Sequence, residues 1–530
     1  MLTECVDAVQ ILFFLVFLLF WPGFVLQNIF VSSKNILEAF IYSTAFGIAF
    51  LALVCPVLDI LWNVSYMSVS CSVVLLSAFL LIKRPRKLIP PHKWEVILLF
   101  LILGYGFLLR SSTLLDALPE GQDAWRHLSF MHYIRQTNAL PRYLPWMEPE
   151  MRVTARMYPL GSHCIGALLS QPFPDLPFTL LKAFFILVGT GSVLSLYIVV
   201  APLMKREEAF LSAFLTAVFV PHMIMTTEIT AEALSIFLYP LIPYLFYKKN
   251  VTASGILLGA LALIHHLSAF AAVTTLLAIA LVFSVQQKSV KYSVSFFWVS
   301  VIALAVSAPW WALQPMPDLT TTLEAEMVFN ELPETFLNPY IEMVSPLFTI
   351  FSMIGFFVLL KERKEHYVFL ISWSTVLFIL SQYLIPVQFS SHRFLGFFVF
   401  PCSVLVSLGL LKTRDYVRKP FFVAILLILF IGYPPHFWPA TGEQNLRANE
   451  WIQDSTLDSL FYVYDHYYTF IYPLSHRKIY WIVNFDEPFA YEYEPAYFYD
   501  DASWVPHDPS RFGRFDKLYS CSGVVVFRIT

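Results

Sequence analysis

The sequence predicts an all-α polytopic membrane protein with a small α/β domain at its carboxyl end, and three observations lead there. Hydrophobic residues fill 58% of the 530 positions and charged residues only 13%, too few to clothe a soluble chain of this length. Apolar stretches of spanning length recur as far as residue 436. Beyond that point charge density rises, Pro and Tyr become frequent, and short strand-like runs take over.

A helix needs about 20 apolar residues to cross the hydrocarbon core. On that ruler spans fall near 9–30, 37–62, 66–82, 94–111, 177–203, 208–224, 230–247, 252–266, 268–285, 292–312, 342–360, 366–385, 394–411 and 420–436, which is roughly fourteen crossings. Two segments leave the count open: 252–285 also reads as one long broken helix, and 158–170 as a segment that dips in without crossing. Residues 9–30 have no basic segment before them and no small-residue cleavage site, so they are expected to be a retained helix rather than a signal peptide. Aromatics at 17% suit lipid-facing helices and interfacial belts.

Basic residues accumulate in cytoplasmic loops, and here they fall in every second loop: Lys34, Lys83 to Lys93, Lys205/Arg206, Lys248/Lys249, Lys288/Lys291, Lys361 to Lys364 and Lys412 to Lys419. The amino terminus, the loops 112–158 and 313–341, and the tail 437–530 are therefore expected on the extracytoplasmic side. No basic stripe exists outside these topology signals, so nucleic acid is not an expected partner. The cysteines are scattered without a C-x-x-C, which signals neither a zinc site nor a disulfide framework. Loop 313–341 holds Asp318, Glu324, Glu326, Glu331 and Glu334 without a basic residue and reads as a solvated acidic connector or a mobile outer loop. In the tail, residues 461–465, 478–483 and 523–529 read as strands.

The stretch 116–163 is a polar island with five acids and five arginines but no lysine. Solvation alone is served by Lys, Ser and Gly, whereas the guanidinium fork grips phosphate or carboxylate in two places. Within it, Asp123 stands at an expected helix start, where the macrodipole favours a carboxylate, and His127 follows four residues on over the same face. Such a pair can share a metal, a phosphate or a proton; an N-capping Asp with a solvent-facing His has the same spacing. Asp116 and Glu120 form a similar pair weakened by Pro119. There is no Walker A loop, no H-E-x-x-H and no G-x-S-x-G, so ATP-driven transport, zincin proteolysis and serine hydrolysis lose their usual signs.

The order G-x-D-x-x-x-H-L (Gly121 to Leu128), N-A-L-P (Asn138 to Pro141) and Y-P-L-G-S-H (Tyr158 to His163) resembles the first outer loop of GT-C class glycosyltransferases, which use polyprenyl-phosphate-linked sugars. Ile134 to Pro141 resembles that class's i-x-x-x-G-x-L-P segment, with Asn138 where Gly is usual. The resemblance implies a hexosyl- or pentosyltransferase embedded in the cell-envelope membrane, with a polyprenyl- or dolichyl-phosphate sugar as donor, a glycan, lipid or protein as acceptor, and membrane lipids as surroundings. Asp123 and Glu228 become candidate catalytic acids. His127, Arg126, Tyr158, Glu232, His265, His266, His392 and Arg393 become candidates for donor-phosphate or substrate binding. Members of the class differ in needing a divalent cation; here Mg or Mn would sit between Asp123 and His127. The W-W-D-Y-G motif of the oligosaccharyltransferase branch is absent, Trp310-Trp311 being the only adjacent tryptophans, which disfavours en bloc transfer to asparagine.

Each further candidate also has an ordinary structural reading. Glu228 and Glu232 lie at the outer ends of consecutive spans, and two acids four apart in an apolar stretch are costly unless used, though one alone could cap a helix. His265 and His266 in LALIHHLSAF would point about 100° apart on a helix, so at most one could face a shared pocket. Arg393 follows His392 where a span re-enters, and could equally snorkel as an anchor. The expected chemistry is a single inverting displacement, with an acid as general base on the acceptor and arginine stabilising the leaving lipid phosphate. A secondary transporter or lipid-linked glycan flippase is the competing reading; it would favour internal repeats and polar breaks at the bilayer midplane, whereas the polar residues here gather at the outer ends of spans.

Overall fold

The computed structural model describes residues 15–78, 88–115, 122–142, 158–172, 178–313, 344, 346–362, 364–381 and 391–414, and five tail strands. After a π-helical turn, Leu15–Phe20, the helices are α1 (Trp21–Phe30), α2 (Ile36–Leu61), α3 (Tyr66–Ser77), α4 (Lys93–Ser111), α5 (Gln122–Thr137), α6 (Gly161–Ser170), α7 (Phe178–Val200), α8 (Arg206–Val218) and α9 (Val220–Thr226). They continue as α10 (Ala231–Leu238), α11 (Leu241–Tyr247), α12 (Val251–Ile264), α13 (His266–Gln286), α14 (Lys291–Leu313), α15 (Pro346–Glu362), α16 (Glu365–Ser381) and α17 (Ser391–Arg414). Every expected span from the first through 394–411 coincides with one of these helices or a broken pair; 420–436 lies outside the described residues.

Among the described residues, six helices are long and apolar enough to cross a membrane, or seven if the bent pair α8–α9 is one span. Breaks divide several of the apolar runs. The α8–α9 pair bends by 61° at Phe219, two residues ahead of Pro221, which lacks the N–H that would bond the Ala217 carbonyl and whose ring crowds it. Pro240 separates α10 from α11, and His265, with extended backbone at φ −156° and ψ 117°, separates α12 from α13. The stretch 252–285 is thus a broken helix, one of the two forms its sequence allowed.

Local chemistry sets several starts. Asn35 and Asn250 cap α2 and α12 by accepting the amides of Glu38 and Ala253, and Ser65 and Ser68 form a capping box on α3. Where α15 crosses α17, Gly355 and Gly409 let the backbones meet, since a Cβ on either would strike the carbonyl of Leu405 or Phe351.

In the tail, β1 (Leu460–Tyr464), β2 (Ile479–Ile482), β3 (Ala496–Asp501), β4 (Phe515–Cys521) and β5 (Val524–Ile529) form one sheet in the order β2-β1-β3-β5-β4. Strand β1 runs parallel to β2 and β3, while β5 is antiparallel to β3 and β4. Three strands match the expected runs; β3 and β4 are additional. Parallel neighbours require crossover connections, and these, like loop 313–341, fall outside the described residues.

Candidate functional site

Helix α5 supplies the first part of the site. Asp123 is its second residue, as expected from the sequence, but its side chain lies outside the described residues, as do Asp116 and Glu120. One turn on, His127 is buried at 3% exposure, which rules out the solvent-facing alternative. The helix ends at Asn138, whose φ of 53° is left-handed. The turn that follows is pinned on three sides: Val64 N–H donates to the Asn138 carbonyl at 2.7 Å, Gln171 Nε2 to Asn138 Oδ1 at 2.9 Å, and Leu140 N–H to Asp59 Oδ1 at 2.8 Å. The N-A-L-P segment therefore fixes α5 against α2 and α6.

Around His127 the rings close into a stack. Its Nδ1 lies 2.7 Å from His163 Nε2, the two rings 4.9 Å apart and nearly parallel. The carbonyls of Pro159 and Leu160 act to raise the His163 pKa, against its burial. The other ring nitrogen of His127, Nε2, faces the Tyr158 hydroxyl at 3.4 Å. Burial, and then His127, push the fully buried His163 well below an ordinary histidine pKa. Phe130 stacks on Tyr158 and meets His163 edge-on, closing the cluster on its apolar side.

A second cluster centres on Glu232 in the first turn of α10. Its buried Oε1 is 2.9 Å from Arg393 Nη1 and 3.2 Å from His265 Nε2. His265 Nδ1 is 2.6 Å from Ser268 Oγ, Ser268 donates to Ser235 Oγ at 2.7 Å, and Ser235 donates to the Glu232 carbonyl at 2.9 Å. With both hydroxyl protons so placed, the hydrogen between His265 and Ser268 belongs to the ring. On its other side the ring faces a carboxylate that only accepts. His265 thus bridges the Ser268 hydroxyl and the Glu232 carboxylate, which Arg393 also meets.

The break at His265 joins the clusters. Because His265 is not helical, the 100° separation expected of adjacent helical residues does not apply. Buried His265 turns to Glu232, while exposed His266 meets Tyr158 edge-on at 5.9 Å, the two histidine rings being 5.4 Å apart. One array thus runs from His163 through His127, Tyr158, His266, His265 and Glu232 to Arg393. Its members sit at the amino-terminal ends of α5, α6, α10, α13 and α17, where unsatisfied N–H groups and helix dipoles favour an anion.

The structure does not bring every candidate into this array. Glu228 lies half-buried in the nonhelical segment 227–230, its carbonyl accepting the Thr230 N–H at 2.9 Å, so Glu228 and Glu232 are not partners on one helix face. Arg126 is half-buried on α5, and the His392 side chain lies outside the described residues. No group of three or more His, Cys, Asp or Glu side chains able to hold a metal occurs among the described residues. A cation held by His127 would have to replace Tyr158 or His163 at its ring.

Sequence reasoning passed over His163, Ser235 and Ser268, and also the buried arginine of α4. Arg110 donates from Nε to Thr226 Oγ1 at 2.6 Å and from Nη1 to the carbonyls of Gly106 and Ala217 at 2.6 and 2.9 Å; its Nη2 lies 2.7 Å from His222 Nδ1. Arginine only donates, so His222 carries its proton on Nε2, directed at Ser192 Oγ at 2.7 Å. The Ala217 carbonyl would accept from residue 221 in an unbroken helix; that residue is Pro221, and Arg110 supplies the missing donor. The available signal was only an ionisable residue at the end of an apolar span.

No protein-family model and no curated protein matches the sequence. Among solved structures, the chain is similar to ArnT from Cupriavidus metallidurans in the apo state, with a TM-score of 0.58 and 11% identity over 82% of this chain and 97% of that one. ArnT bound to undecaprenyl phosphate gives 0.53 and 11% over 82% and 98%. The apo oligosaccharyltransferase of Archaeoglobus fulgidus gives 0.55 and 14% over 73% of this chain; the match spans 64% of that protein. At these identities the likeness shows the fold, and the fold is GT-C-like.

Proposed function

We propose, from this GT-C-like fold and the array within it, that the chain is an inverting glycosyltransferase. It moves a hexosyl or pentosyl unit from a polyprenyl- or dolichyl-phosphate donor to a hydroxyl on a glycan, lipid or protein, without the en bloc transfer of the oligosaccharyltransferase branch. The alternation of basic loops supports an extracytoplasmic reaction face and an extracytoplasmic α/β tail, with roughly fourteen crossings in the membrane part. The observation that carries the reading is the cluster of Glu232, His265 and Arg393 at converging helix amino termini, a place suited to phosphate. The binding of undecaprenyl phosphate by the structural neighbour ArnT lends the same support.

In this mechanism the acceptor hydroxyl gives its proton to the Asp123 carboxylate as its oxygen bonds to the anomeric carbon. The bond from that carbon to the phosphate oxygen breaks, and its electron pair leaves on the lipid phosphate. Arg393, at one-third exposure, meets the charge that develops there, while buried Glu232 holds the guanidinium in place. His127 and Tyr158 position the head group, and Glu228 is the alternative base. Asp123→Asn is expected to lower turnover of a polyprenyl-phosphate sugar in detergent by a factor of ~10² to 10⁴. Near-normal turnover by the folded variant would remove Asp123 from the role. Solute movement into vesicles without any glycosyl product would replace transfer with transport.

A further inference from the structure

Of the five residues joined at Glu232, Arg393 keeps a third of its side chain open, while Glu232, His265, Ser235 and Ser268 are buried. A substrate on the reaction face can therefore touch the guanidinium, and the other four act from behind it. Within that support His265 depends on its partners. It lies at the break between α12 and α13 with extended backbone, so helix geometry does not set its ring. The ring is oriented by what its two nitrogens meet, Glu232 Oε1 at 3.2 Å and Ser268 Oγ at 2.6 Å.

Ser268 is fixed in turn. It donates to Ser235 Oγ at 2.7 Å, and Ser235, on the same face of α10 as Glu232, donates to the Glu232 carbonyl at 2.9 Å. The bonds form a loop that leaves residue 232 by its carboxylate and returns at its backbone, clamping the first turn of α10 to the first turn of α13. Deeper in the bundle the same two segments are joined again. There the Tyr239 hydroxyl lies 3.0 Å from Thr275 Oγ1 and accepts the Trp373 indole N–H at 3.1 Å. That second joint is equally buried, but none of its bonds belongs to the loop around Glu232.

We propose that Ser268 is a positioning residue of the transfer site. Its hydroxyl orients the His265 ring, the ring orients the Glu232 carboxylate, and the carboxylate aims the Arg393 guanidinium at the phosphate that leaves. The proposal rests on the glycosyl-transfer reading and adds to it a residue that touches no substrate. Misplacing a reacting or stabilising group by about 1 Å can cost ~10² in rate, so loss of the Ser268 hydroxyl is felt in turnover. Loss of the Thr275 hydroxyl, which only joins the segments, is felt in stability.

Steady-state transfer from a polyprenyl-phosphate sugar by the full chain in detergent tests it, with rates normalised to folded protein. Ser268→Ala is expected to lower kcat about ten-fold or more, with KM for the donor little changed. Ser235→Ala, one link further from the ring, should do the same to a smaller extent. Thr275→Val, which removes the hydroxyl of the deeper joint, should lower the thermal midpoint and leave kcat as it is. In the Arg393→Gln background Ser268→Ala should cost less than about two-fold more, because the guanidinium it positions is gone. Wild-type kcat in folded Ser268→Ala, an equal loss in Thr275→Val, or losses that multiply in the double variant would each overturn the positioning role and leave the transfer reading in place. Should Ser268→Ala not fold, Ser235→Ala decides by the same three comparisons. Absence of any glycosyl product from the wild type would overturn the transfer reading, and the positioning role with it.

Discussion

Two buried networks contain an arginine and a histidine each, and they differ in what the arginine meets. Arg110 is fully buried and gives its donors to two carbonyls, a threonine hydroxyl and a histidine nitrogen, all neutral and all belonging to a helix end or break. Arg393 meets a carboxylate and keeps a third of its side chain open. The first arrangement repairs a backbone that Pro221 interrupts. The second keeps part of the guanidinium open beside a buried histidine and carboxylate. A guanidinium in an apolar bundle can thus serve as a cap or as part of a site, and its acceptors tell the two apart.

The sharpest way to break the comparison is to remove each arginine in turn. Arg110→Leu strands the Ala217 carbonyl, which Pro221 cannot serve, together with the acceptor nitrogen of His222. Leaving buried polar groups unmet should destabilise the fold by about 3 kcal/mol, seen as a lower thermal midpoint, while folded molecules keep their transfer rate. Wild-type stability in this variant would mean that the network is not a cap. Arg393→Gln should do the reverse, lowering turnover by ~10² with a midpoint close to wild type, and Arg393→Lys should recover part of the loss. A variant that loses stability but not turnover would place Arg393 with Arg110.

A smaller effect separates the histidines. His163 is held neutral by burial and by His127, whereas the unfolded chain takes up a proton near pH 6.5. The folded pKa is the lower one, so the unfolded state binds more protons as pH falls. Stability is therefore full above about pH 6.5 and declines beneath it, by at most ~1.36 kcal/mol per pH unit for this group. His163→Gln removes the difference, and its thermal midpoint should fall less steeply on acidification than that of the wild type. Parallel slopes would show that His163 accepts a proton within the fold.

The networks also differ in how far they could be read from sequence. Glu232, His265 and Arg393 were visible because each is polar at the edge of an apolar run, where burial without use is costly. His127 and Tyr158 were visible through the order of their motifs. Arg110 closes the span expected at 94–111, where a snorkelling arginine and a buried one look alike, and its partners Ala217 and His222 lie far along the chain. His163 belongs to a motif that marks a turn without saying which ring it faces. The helix positions followed from apolar length, but the breaks at Phe219 and His265 depend on backbone geometry that hydropathy does not encode. The break at His265 is also what allows two adjacent histidines to border one site.

Asn138 offers the smallest test, and it concerns the frame on which the array is mounted. The GT-C segment that this turn resembles has glycine here, and the backbone at φ 53° fits that: the left-handed region is strained for most side chains by roughly 1–2 kcal/mol, and Asn tolerates it better than most. Asparagine adds something glycine lacks, since Oδ1 accepts from Gln171 Nε2 and ties the end of α5 to the end of α6. The two contributions are similar in size, about 1 kcal/mol for a hydrogen bond of this kind. Asn138→Gly should therefore change stability by less than about 0.5 kcal/mol. Asn138→Ala keeps the strain and loses the bond, so it should destabilise by about 1–2 kcal/mol. Chemical unfolding of the two variants side by side measures the difference. If alanine proves as stable as glycine here, the left-handed turn is not what holds α5, and the contacts of Val64 and Asp59 carry the positioning instead.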